Sequence, residues 1–185
     1  MTPLDRTWFE REAPIVAREL LGKLLVVERD RRLVSGRIVE TEAYTADDPA
    51  SHSFRGRTPR NAVMFGPPGR LYVYRSYGLH WCANVVTGVP GDGQAVLVRA
   101  LVPVDGLDTM RSRRPGRRDR VLADGPGKLT LALAIVGTDD GVDLTAPSSP
   151  IRITDDGTPP PLVPLVGPRV GITKAVDTPW RFRIS

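Results

Sequence analysis

The sequence has little of the chemistry that builds metal sites and disulfides. Its 185 residues include one cysteine and two histidines, so an internal disulfide cannot form and a zinc site of histidine and cysteine ligands is not expected. Only three of the 26 basic residues are lysines, which leaves few amines that could act as covalent nucleophiles. These scarcities argue against a zinc site of histidine and cysteine ligands and against a domain stabilised by internal disulfides.

The chain also lacks long apolar segments. No apolar run reaches the length of a membrane-spanning helix, and the first residues, MTPLDRTWFER, lack the apolar core of a signal peptide. We therefore expect a cytoplasmic protein. With 41% hydrophobic residues, the chain can bury a core, and its length fits one domain over residues 1–185. A net charge of +5 permits a polyanionic partner but does not establish one.

Short elements joined by firm turns are expected, because the chain contains 18 glycines and 18 prolines. Apolar periodicity predicts helices over 13–21 and 129–136, a further helix over 105–111, and a helical turn over 61–65. Strands are predicted over 24–28, 33–44, 71–77, 79–86, 95–101, 151–154, 170–173 and 181–184.

The segment RIVETEAY at 37–44 carries the first chemical signal. Alternation along a strand places Ile38, Glu40, Glu42 and Tyr44 on one face. Two carboxylates and a tyrosine on one face of an apolar strand predict a pocket wall with an acid or base beside a flat aromatic ring. An edge strand with a solvated acidic face is the alternative. Periodicity alone does not separate the two carboxylates.

Further candidates lie on the following strands. Tyr72 and Tyr74 share one face of the strand over 71–77, and core packing is the simplest explanation of Tyr72. Tyr77 falls at a predicted hairpin tip, where an aromatic side chain is poorly placed for burial, so it is predicted to contact a partner. Arg99 interrupts an apolar strand, and must therefore find an ionic partner or face a pocket.

Basic residues in turns are candidates for contacts with phosphates. Arg55, Arg57 and Arg60 follow one another in a polar loop and are predicted to bind a phosphate backbone, although a solvated surface is the alternative. Lys128 ends the sequence GPGK before a predicted helix, where a phosphate can bind the helix N-terminus, but the full spacing of a nucleotide-binding P-loop is missing. The arginine-rich run at 111–120 is predicted to be a flexible basic loop that contacts phosphates without reading sequence.

Several long motifs occur in a characteristic order and spacing: RIVETEAY at 37–44, ASHSFRGRTPRNAVMF at 50–65, PPGRLYVYRSYGLHWCANVV at 67–86 and GDGQAVLVRALVP at 91–103. GPGKLTLALAI at 125–135, RVGIT at 169–173 and PWRF at 179–182 extend the pattern. Together these motifs resemble one family, the alkyladenine (3-methyladenine) DNA glycosylases of the mammalian and bacterial alkylpurine type.

The resemblance implies a fold and an activity. The fold is a single mixed α/β (α+β) domain with a curved, mainly antiparallel sheet flanked by helices. The activity is base excision repair by a monofunctional glycosylase. The enzyme flips an alkylated or deaminated purine out of double-stranded DNA, hydrolyses the N-glycosidic bond with a glutamate-activated water, and leaves an abasic site. A monomer without cofactor or metal is implied.

The resemblance also assigns roles to single residues. Glu42 matches the general base, which decides between the two carboxylates and leaves Glu40 to pair with a buried cation, Arg99. Tyr77 matches the residue that is inserted into the minor groove. The remaining matches are pocket residues: Tyr44 and Tyr74 around the flipped base, His52 at the base edge, Asn84 on the floor and Arg99 beside the base or the water.

Three alternatives remain open. A non-catalytic nucleic-acid-binding domain would also be basic with exposed tyrosines, but would leave the carboxylates on an apolar face unexplained. A bifunctional glycosylase/lyase needs an amine nucleophile, and none of Lys23, Lys128 and Lys174 is expected near the pocket motifs. A formyl- or methyl-transferase would need a cofactor loop, and no such loop is recognisable.

Overall fold

A computed structural model describes residues 2–185, and Met1 lies outside this range. In this part of the chain, nine strands form one open sheet in which every pairing is antiparallel, and four α-helices accompany it. The predicted fold class is confirmed. The strands are β1 (Thr2–Pro3), β2 (Leu24–Arg29), β3 (Arg32–Tyr44), β4 (Leu71–Ser76), β5 (His80–Thr87), β6 (Gln94–Asp105), β7 (Ile151–Asp155), β8 (Leu165–Gly167) and β9 (Arg181–Arg183). The helices are α1 (Arg6–Phe9), α2 (Ala13–Glu19), α3 (Leu107–Arg113) and α4 (Pro126–Leu133), and 3₁₀ turns cover Ala62–Phe65, Asp119–Val121 and Gly137–Asp139.

Strand β3 lies at the centre of the sheet. The main strand order is β1-β7-β2-β3-β6-β5-β4. One edge of β3 pairs with β6, whereas the other edge pairs first with β2 and then, from Glu40 to Glu42, with β9. The short strand β8 pairs with β9. The carboxyl-terminal half of β3 is therefore covered on both edges, which keeps the backbone around Glu42 rigid.

The two faces of the sheet have different contents, because side chains alternate along a strand. One face packs against the helices and forms the main core, to which β4, β5 and β6 contribute Leu71, Val73, Ala83, Val85, Val96 and Val98. The intervening residues point to the opposite face, where a second buried cluster forms around Met64, Tyr72, Val86 and Ala95. Strand periodicity thus leaves a face free of helices on which a site can form.

Helix α2 is tied to β3, since the Thr41 hydroxyl donates a hydrogen bond of 2.7 Å to the carbonyl of Ala17. Helix α4 begins at Pro126, three residues before the predicted start, because proline is well suited to a first turn. It ends at Leu133, since Ala134 adopts a left-handed conformation with φ of 56°. The N-terminus of α4 lies against β5, where Gly127 packs against His80.

Two of the sequence predictions about this sheet are wrong, and one strand in the same part of the chain was missed. Ile38 does not share a face with Glu42, because the register between β3 and β6 shifts on either side of Glu40 and turns Ile38 into the main core. Residues 170–173 do not form a strand, since Gly171 takes a φ of +75° that breaks extended backbone. The strand in this part of the chain is β8, which was not predicted.

Among residues 2–185, no helix combines the length and apolar character needed to cross a bilayer.

Candidate active site

A cavity of about 570 Å³ opens on the face of the sheet that carries no helices. Its floor follows one row of paired residues across four strands, in which Glu42 lies opposite Leu97, Leu97 opposite Asn84, and Asn84 opposite Tyr72. With strands about 4.8 Å apart, the first and last members of this row are separated by about 14 Å between Cα atoms. The floor is therefore wide enough to hold a flat ring between the two sides.

Glu42 lies just behind the wall of the cavity and has no exposed surface. Its Oε2 accepts hydrogen bonds from the Tyr44 hydroxyl at 2.9 Å and from the Arg99 guanidinium at 3.3 Å. Its Oε1 accepts a hydrogen bond of 2.8 Å from the backbone N–H of Val170. All three donors belong to residues that line the cavity. The carboxylate is thus held in one orientation, and Oε1 keeps the capacity for a second hydrogen bond.

The neighbouring carboxylate, Glu40, has a different environment. Its Oε1 accepts hydrogen bonds from the Nε atoms of Arg99 at 3.0 Å and Arg181 at 2.5 Å. The predicted pairing of Glu40 with Arg99 is confirmed. Glu40 thus pairs with two guanidinium groups. Since Arg99 also donates to Glu42, it links the two carboxylates.

An aromatic cluster forms the side of the cavity opposite Glu42. The rings of Tyr72 and Tyr74 are stacked with centres 5.6 Å apart, and the His52 ring meets Tyr74 edge-on at 4.5 Å. The Nδ1 atom of His52 shares a hydrogen bond of 2.9 Å with the Tyr72 hydroxyl. Burial lowers the pKa of His52, with a smaller effect from Arg60. Burial also raises the pKa of Tyr72 to about 12 and the pKa of Tyr74 still further. These side chains are therefore uncharged at neutral pH.

The ring of Tyr44 is fixed from behind by a buried arginine. The Arg169 guanidinium carbon lies 4.6 Å from the centre of the Tyr44 ring and 5.4 Å from that of Trp180. Arg169 also forms a buried ion pair with Asp48. Burial raises the pKa of Tyr44, and the proximity of Glu42 raises it further. Tyr44 thus remains a neutral hydrogen-bond donor to Glu42.

The cavity floor between these two sides carries Asn84 and Cys82 beside Leu97. Asn84 is buried, lines the cavity, and donates from Nδ2 to the carbonyl of Tyr72 at 3.1 Å. Cys82 lies beside it, and burial raises the pKa of its thiol, so the group stays protonated at neutral pH.

The rim of the cavity carries the candidates for contacts with DNA. Tyr77 is 88% exposed at the tip of the β4–β5 hairpin, and it and Gly78 have positive φ values of 50° and 68°, as in a two-residue type I′ turn. The predicted hairpin tip is confirmed. Arg60 lines the cavity and donates a long hydrogen bond of 3.4 Å to the carbonyl of Arg75.

The other basic candidates lie further from the cavity. Arg55 and Arg57 are exposed on the loop that follows β3. Lys128 is on the first turn of α4 and forms an exposed ion pair of 2.8 Å with Asp124. This acidic partner must be displaced or screened before the ammonium group can meet a phosphate.

The arginine-rich run at 111–120 is not the unstructured loop predicted from its composition. Its first three residues belong to α3 and its last two to a 3₁₀ turn. Arg111 forms ion pairs with Asp108, one turn earlier on α3, and with Asp119 of the 3₁₀ turn. Arg117, Arg118 and Arg120 are exposed as well, whereas Arg113 and Arg114 donate to backbone carbonyl groups.

Several residues of the site were not identified from the sequence. Tyr72 lines the cavity as well as packing in the core, and its shared face with Tyr74 was the available signal. Arg169 and Val170 gave no such signal, since Val170 was predicted to begin a closing strand and Arg169 lay just outside it. Lys174 also lines the cavity, so the expectation that no lysine lies near the pocket is wrong. It arrives there because residues 170–174 turn across the mouth of the cavity.

Metal ligands do not gather in the described part of the chain. Residues 2–185 contain no group of three or more histidine, cysteine, aspartate or glutamate side chains that could hold a metal ion. The implied absence of cofactors stays a prediction.

The cavity places the sequestered Glu42 carboxylate at one side and stacked aromatic rings at the other, an arrangement that suits a hydrolase whose substrate carries a planar ring. Comparisons with known proteins identify the family. Residues 7–185 match the model of the family described as methylpurine-DNA glycosylase (MPG).

Curated relatives agree with the family match. A protein of Burkholderia lata is 52% identical over 183 residues, which cover 98% of this chain and 87% of the relative. A protein of Methanoculleus marisnigri is 53% identical over 185 residues, covering 98% and 95% of the two chains. Both carry the name "Putative 3-methyladenine DNA glycosylase". The chain belongs to the methylpurine-DNA glycosylase family, as the resemblance predicted. It is a DNA-repair glycosylase, a hydrolase of N-glycosyl bonds whose substrate is DNA.

Proposed function

We propose that the protein removes alkylated or deaminated purines from duplex DNA, with 3-methyladenine as the first substrate to test. The damaged nucleotide is flipped out of the helix into the cavity, a water molecule activated by Glu42 hydrolyses the N-glycosidic bond, and an abasic site remains. The observation that carries this proposal is the fully buried Glu42 carboxylate, held by Tyr44, Val170 and Arg99 at the wall of an aromatic cavity.

The chemical step needs one carboxylate. The water oxygen forms a bond to C1′ of the sugar, the N-glycosidic bond breaks, its electron pair leaves with the base, and Glu42 takes the water proton. The sugar passes through an oxocarbenium-like state, whose positive charge the carboxylate opposes. In this proposal the attacking water lies between the Glu42 carboxylate and C1′ of the flipped nucleotide, shielded from bulk water by the bound base.

Alkylated bases suit this arrangement better than neutral lesions. A purine alkylated on a ring nitrogen is already cationic and leaves as a neutral molecule, so no acid is required. A neutral lesion such as hypoxanthine needs a proton. His52 is a poor donor at neutral pH because its pKa is lowered, and Tyr44 and Tyr74 are poor donors because their pKa values are raised. We therefore expect slower excision of neutral lesions.

The cavity walls supply the binding energy for the flipped base. Extrusion of a base costs a few kcal/mol, and stacking on aromatic rings returns about 1–3 kcal/mol per base. Tyr44 on one side and Tyr74 with His52 on the other offer such surfaces, while Asn84 limits the space on the floor. Arg99 holds Glu42 and is placed to orient the water or the base.

The rim is proposed to engage the duplex. Tyr77 would fill the space that the flipped nucleotide leaves, and phosphates would be bound by Arg55, Arg57, Arg60 and Lys128. We further propose that the protein acts as a monomer on the chromosome, within the cytoplasm.

Substitution of the two carboxylates tests the mechanism. Glu42→Gln keeps the shape of the side chain but can neither accept the proton nor oppose the sugar charge, so single-turnover release of 3-methyladenine should fall by about 10²–10⁴-fold while duplex binding persists. Glu40→Gln is the matched control, two residues away on the same strand, and should lose much less activity. Equal losses, or a larger loss for Glu40→Gln, would show that the wrong carboxylate has been assigned.

A second candidate function is a glycosylase with lyase activity, which the position of Lys174 at the cavity favours. In that reaction the lysine amine attacks C1′ and displaces the damaged base. The C1′–O4′ bond then breaks, which opens the sugar ring and leaves a Schiff base between the lysine and C1′, and borohydride reduces it to a stable adduct between protein and DNA. Hydrolysis predicts free base without such an adduct. Trapping that disappears in Lys174→Met would establish the lyase, and binding without any base release would indicate a non-catalytic domain.

A further inference from the structure

We propose that Arg169 is a positioning residue for hydrolysis: by holding the Tyr44 ring and the Val170 backbone, it fixes the orientation of the Glu42 carboxylate. The inference rests on the proposed function, since it assumes that Glu42 activates the water. Arg169 does not line the cavity, so its effect must pass through the residues that it contacts.

The guanidinium of Arg169 is itself firmly anchored. Its side chain has no exposed surface and forms an ion pair with Asp48, whose side chain is 1% exposed. One guanidinium nitrogen donates to the carbonyl of Ala43 at 2.9 Å and also to Asp48, and the other donates to Asp48 at 3.0 Å. Since Ala43 lies between Glu42 and Tyr44, the anchor is attached to the backbone that carries both active-site side chains.

Two paths lead from this anchor to the carboxylate. Along the first, the guanidinium lies over the Tyr44 ring at 4.6 Å, and the Tyr44 hydroxyl donates to Oε2 of Glu42 at 2.9 Å. Along the second, the next residue in the chain, Val170, donates its backbone N–H to Oε1 at 2.8 Å. The remaining contact, from Arg99 to Oε2, is longer at 3.3 Å. Arg169 therefore acts on the shortest hydrogen bond of each carboxylate oxygen.

Stability alone does not explain an arginine at this position. Replacement of a buried ion pair by apolar residues of similar volume is often neutral or stabilising. Within residues 2–185, the Nε atom of Arg169 is also buried without a hydrogen-bond partner, which is a cost. An apolar side chain could fill the space between the Tyr44 and Trp180 rings, but only a planar donor fork can stack there and bind Asp48 and Ala43 together. These contacts point to a requirement for geometry.

The test compares two ion pairs of the same composition in the full-length protein; Arg169 is fully buried, whereas the control arginine, Arg29, is 33% exposed. In the test variant, Arg169→Met is combined with Asp48→Asn, so that no unpaired charge is left buried. The control combines Arg29→Met with Asp139→Asn. Arg29 also binds both a carboxylate and a backbone carbonyl, and Asp139 also accepts a backbone N–H, but neither residue lines the cavity. Melting temperature, duplex affinity and single-turnover rate on a duplex with 3-methyladenine are measured for both.

The test variant should lose about 10²-fold in single-turnover rate, which is the scale expected for a misplacement of about 1 Å, while its duplex affinity matches that of the control. The loss should be smaller when Tyr44→Phe is already present, because one path to Glu42 is then broken. If the double variant does not fold, Arg169→Lys replaces it; that variant keeps the charge but loses the planar fork, and should show the same loss of rate.

A rate loss no greater than that of the control, or full additivity with Tyr44→Phe, would overturn the inference. So would a loss confined to duplex affinity. Failure of the proposed function is distinguishable, because Glu42→Gln would then keep wild-type activity. If Glu42→Gln is inactive but the Arg169 variants keep wild-type rates, the positioning role is refuted while the proposed function stands.

Discussion

Substitution of Tyr77 by alanine should separate folding from catalysis, because the side chain touches almost nothing. Tyr77 is 88% exposed, which leaves about 12% of its surface in contact with the protein. A fully buried tyrosine covers about 150–250 Å², so this fraction is about 25 Å² and contributes about 0.6 kcal/mol to stability at about 25 cal/mol per Å². A change of about 1 kcal/mol moves the melting temperature of a domain of this size by about 2–4 °C, so Tyr77→Ala should melt within about 3 °C of wild type.

The effect on excision should be larger and should depend on the DNA. If the ring fills the space of the flipped nucleotide, it offsets part of the free-energy cost of unstacking. Removing the ring should therefore raise the barrier by about 2 kcal/mol, which corresponds to about a 30-fold lower rate on a fully paired lesion. On a lesion in a bulge or a single strand, less extrusion work remains, so the ratio of wild-type to variant rate should approach one. Tyr77→Phe keeps the ring and should stay near wild type on both substrates.

Single-turnover excision of 3-methyladenine from paired and unpaired substrates, with thermal melting of each variant, provides the measurement. Equal rate ratios on the two substrates would show that Tyr77 is not the residue that holds the flipped state. A fall in melting temperature of 10 °C or more would show instead that the ring supports the fold, against the exposure of the hairpin tip.

Two further predictions concern the surface and the fold. Replacing Arg117 and Arg118 by serine should make the slope of log duplex affinity against log salt concentration shallower, by up to about 0.9 for each phosphate contact that is lost. An unchanged slope in an anisotropy titration would show that both side chains are merely solvated. Gly106→Ala should lower the melting temperature more than Gly116→Ala. Both glycines have left-handed φ values, of +71° and +73°. An added Cβ at Gly106 would lie 2.6 Å from the Leu33 carbonyl oxygen, whereas an added Cβ at Gly116 would have no atom within 4 Å. Equal losses in thermal melting would mean that only the backbone conformation matters.

Local patterns were sufficient for the parts of this protein that depend on near neighbours in the chain. Alternation of side chains is a property of a single strand, so the shared face of Tyr72 and Tyr74 and the exposed hairpin tip at Tyr77 could be predicted directly. The unusual charge of Arg99 in an apolar strand required a partner, and Glu40 supplies it at 3.0 Å. The choice between Glu40 and Glu42 needed the resemblance to a family, since both occupy equivalent positions in the alternation.

The contacts that hold Glu42 in place were decided only by tertiary structure. Val170 is 128 residues from Glu42 along the chain, and Arg169 is 121 residues from Asp48. No periodic pattern relates positions so far apart, because their meeting depends on where β9 and the segment before it return to the sheet. The irregular register near Glu40, which turns Ile38 into the core, likewise depends on how β6 and β9 pair with β3. The sequence by itself therefore determined most of the strands, the faces of the regular ones and the candidate chemistry. The closed environment of the carboxylate required the folded chain, since it is built from backbone and side-chain donors that meet only when distant segments pack together.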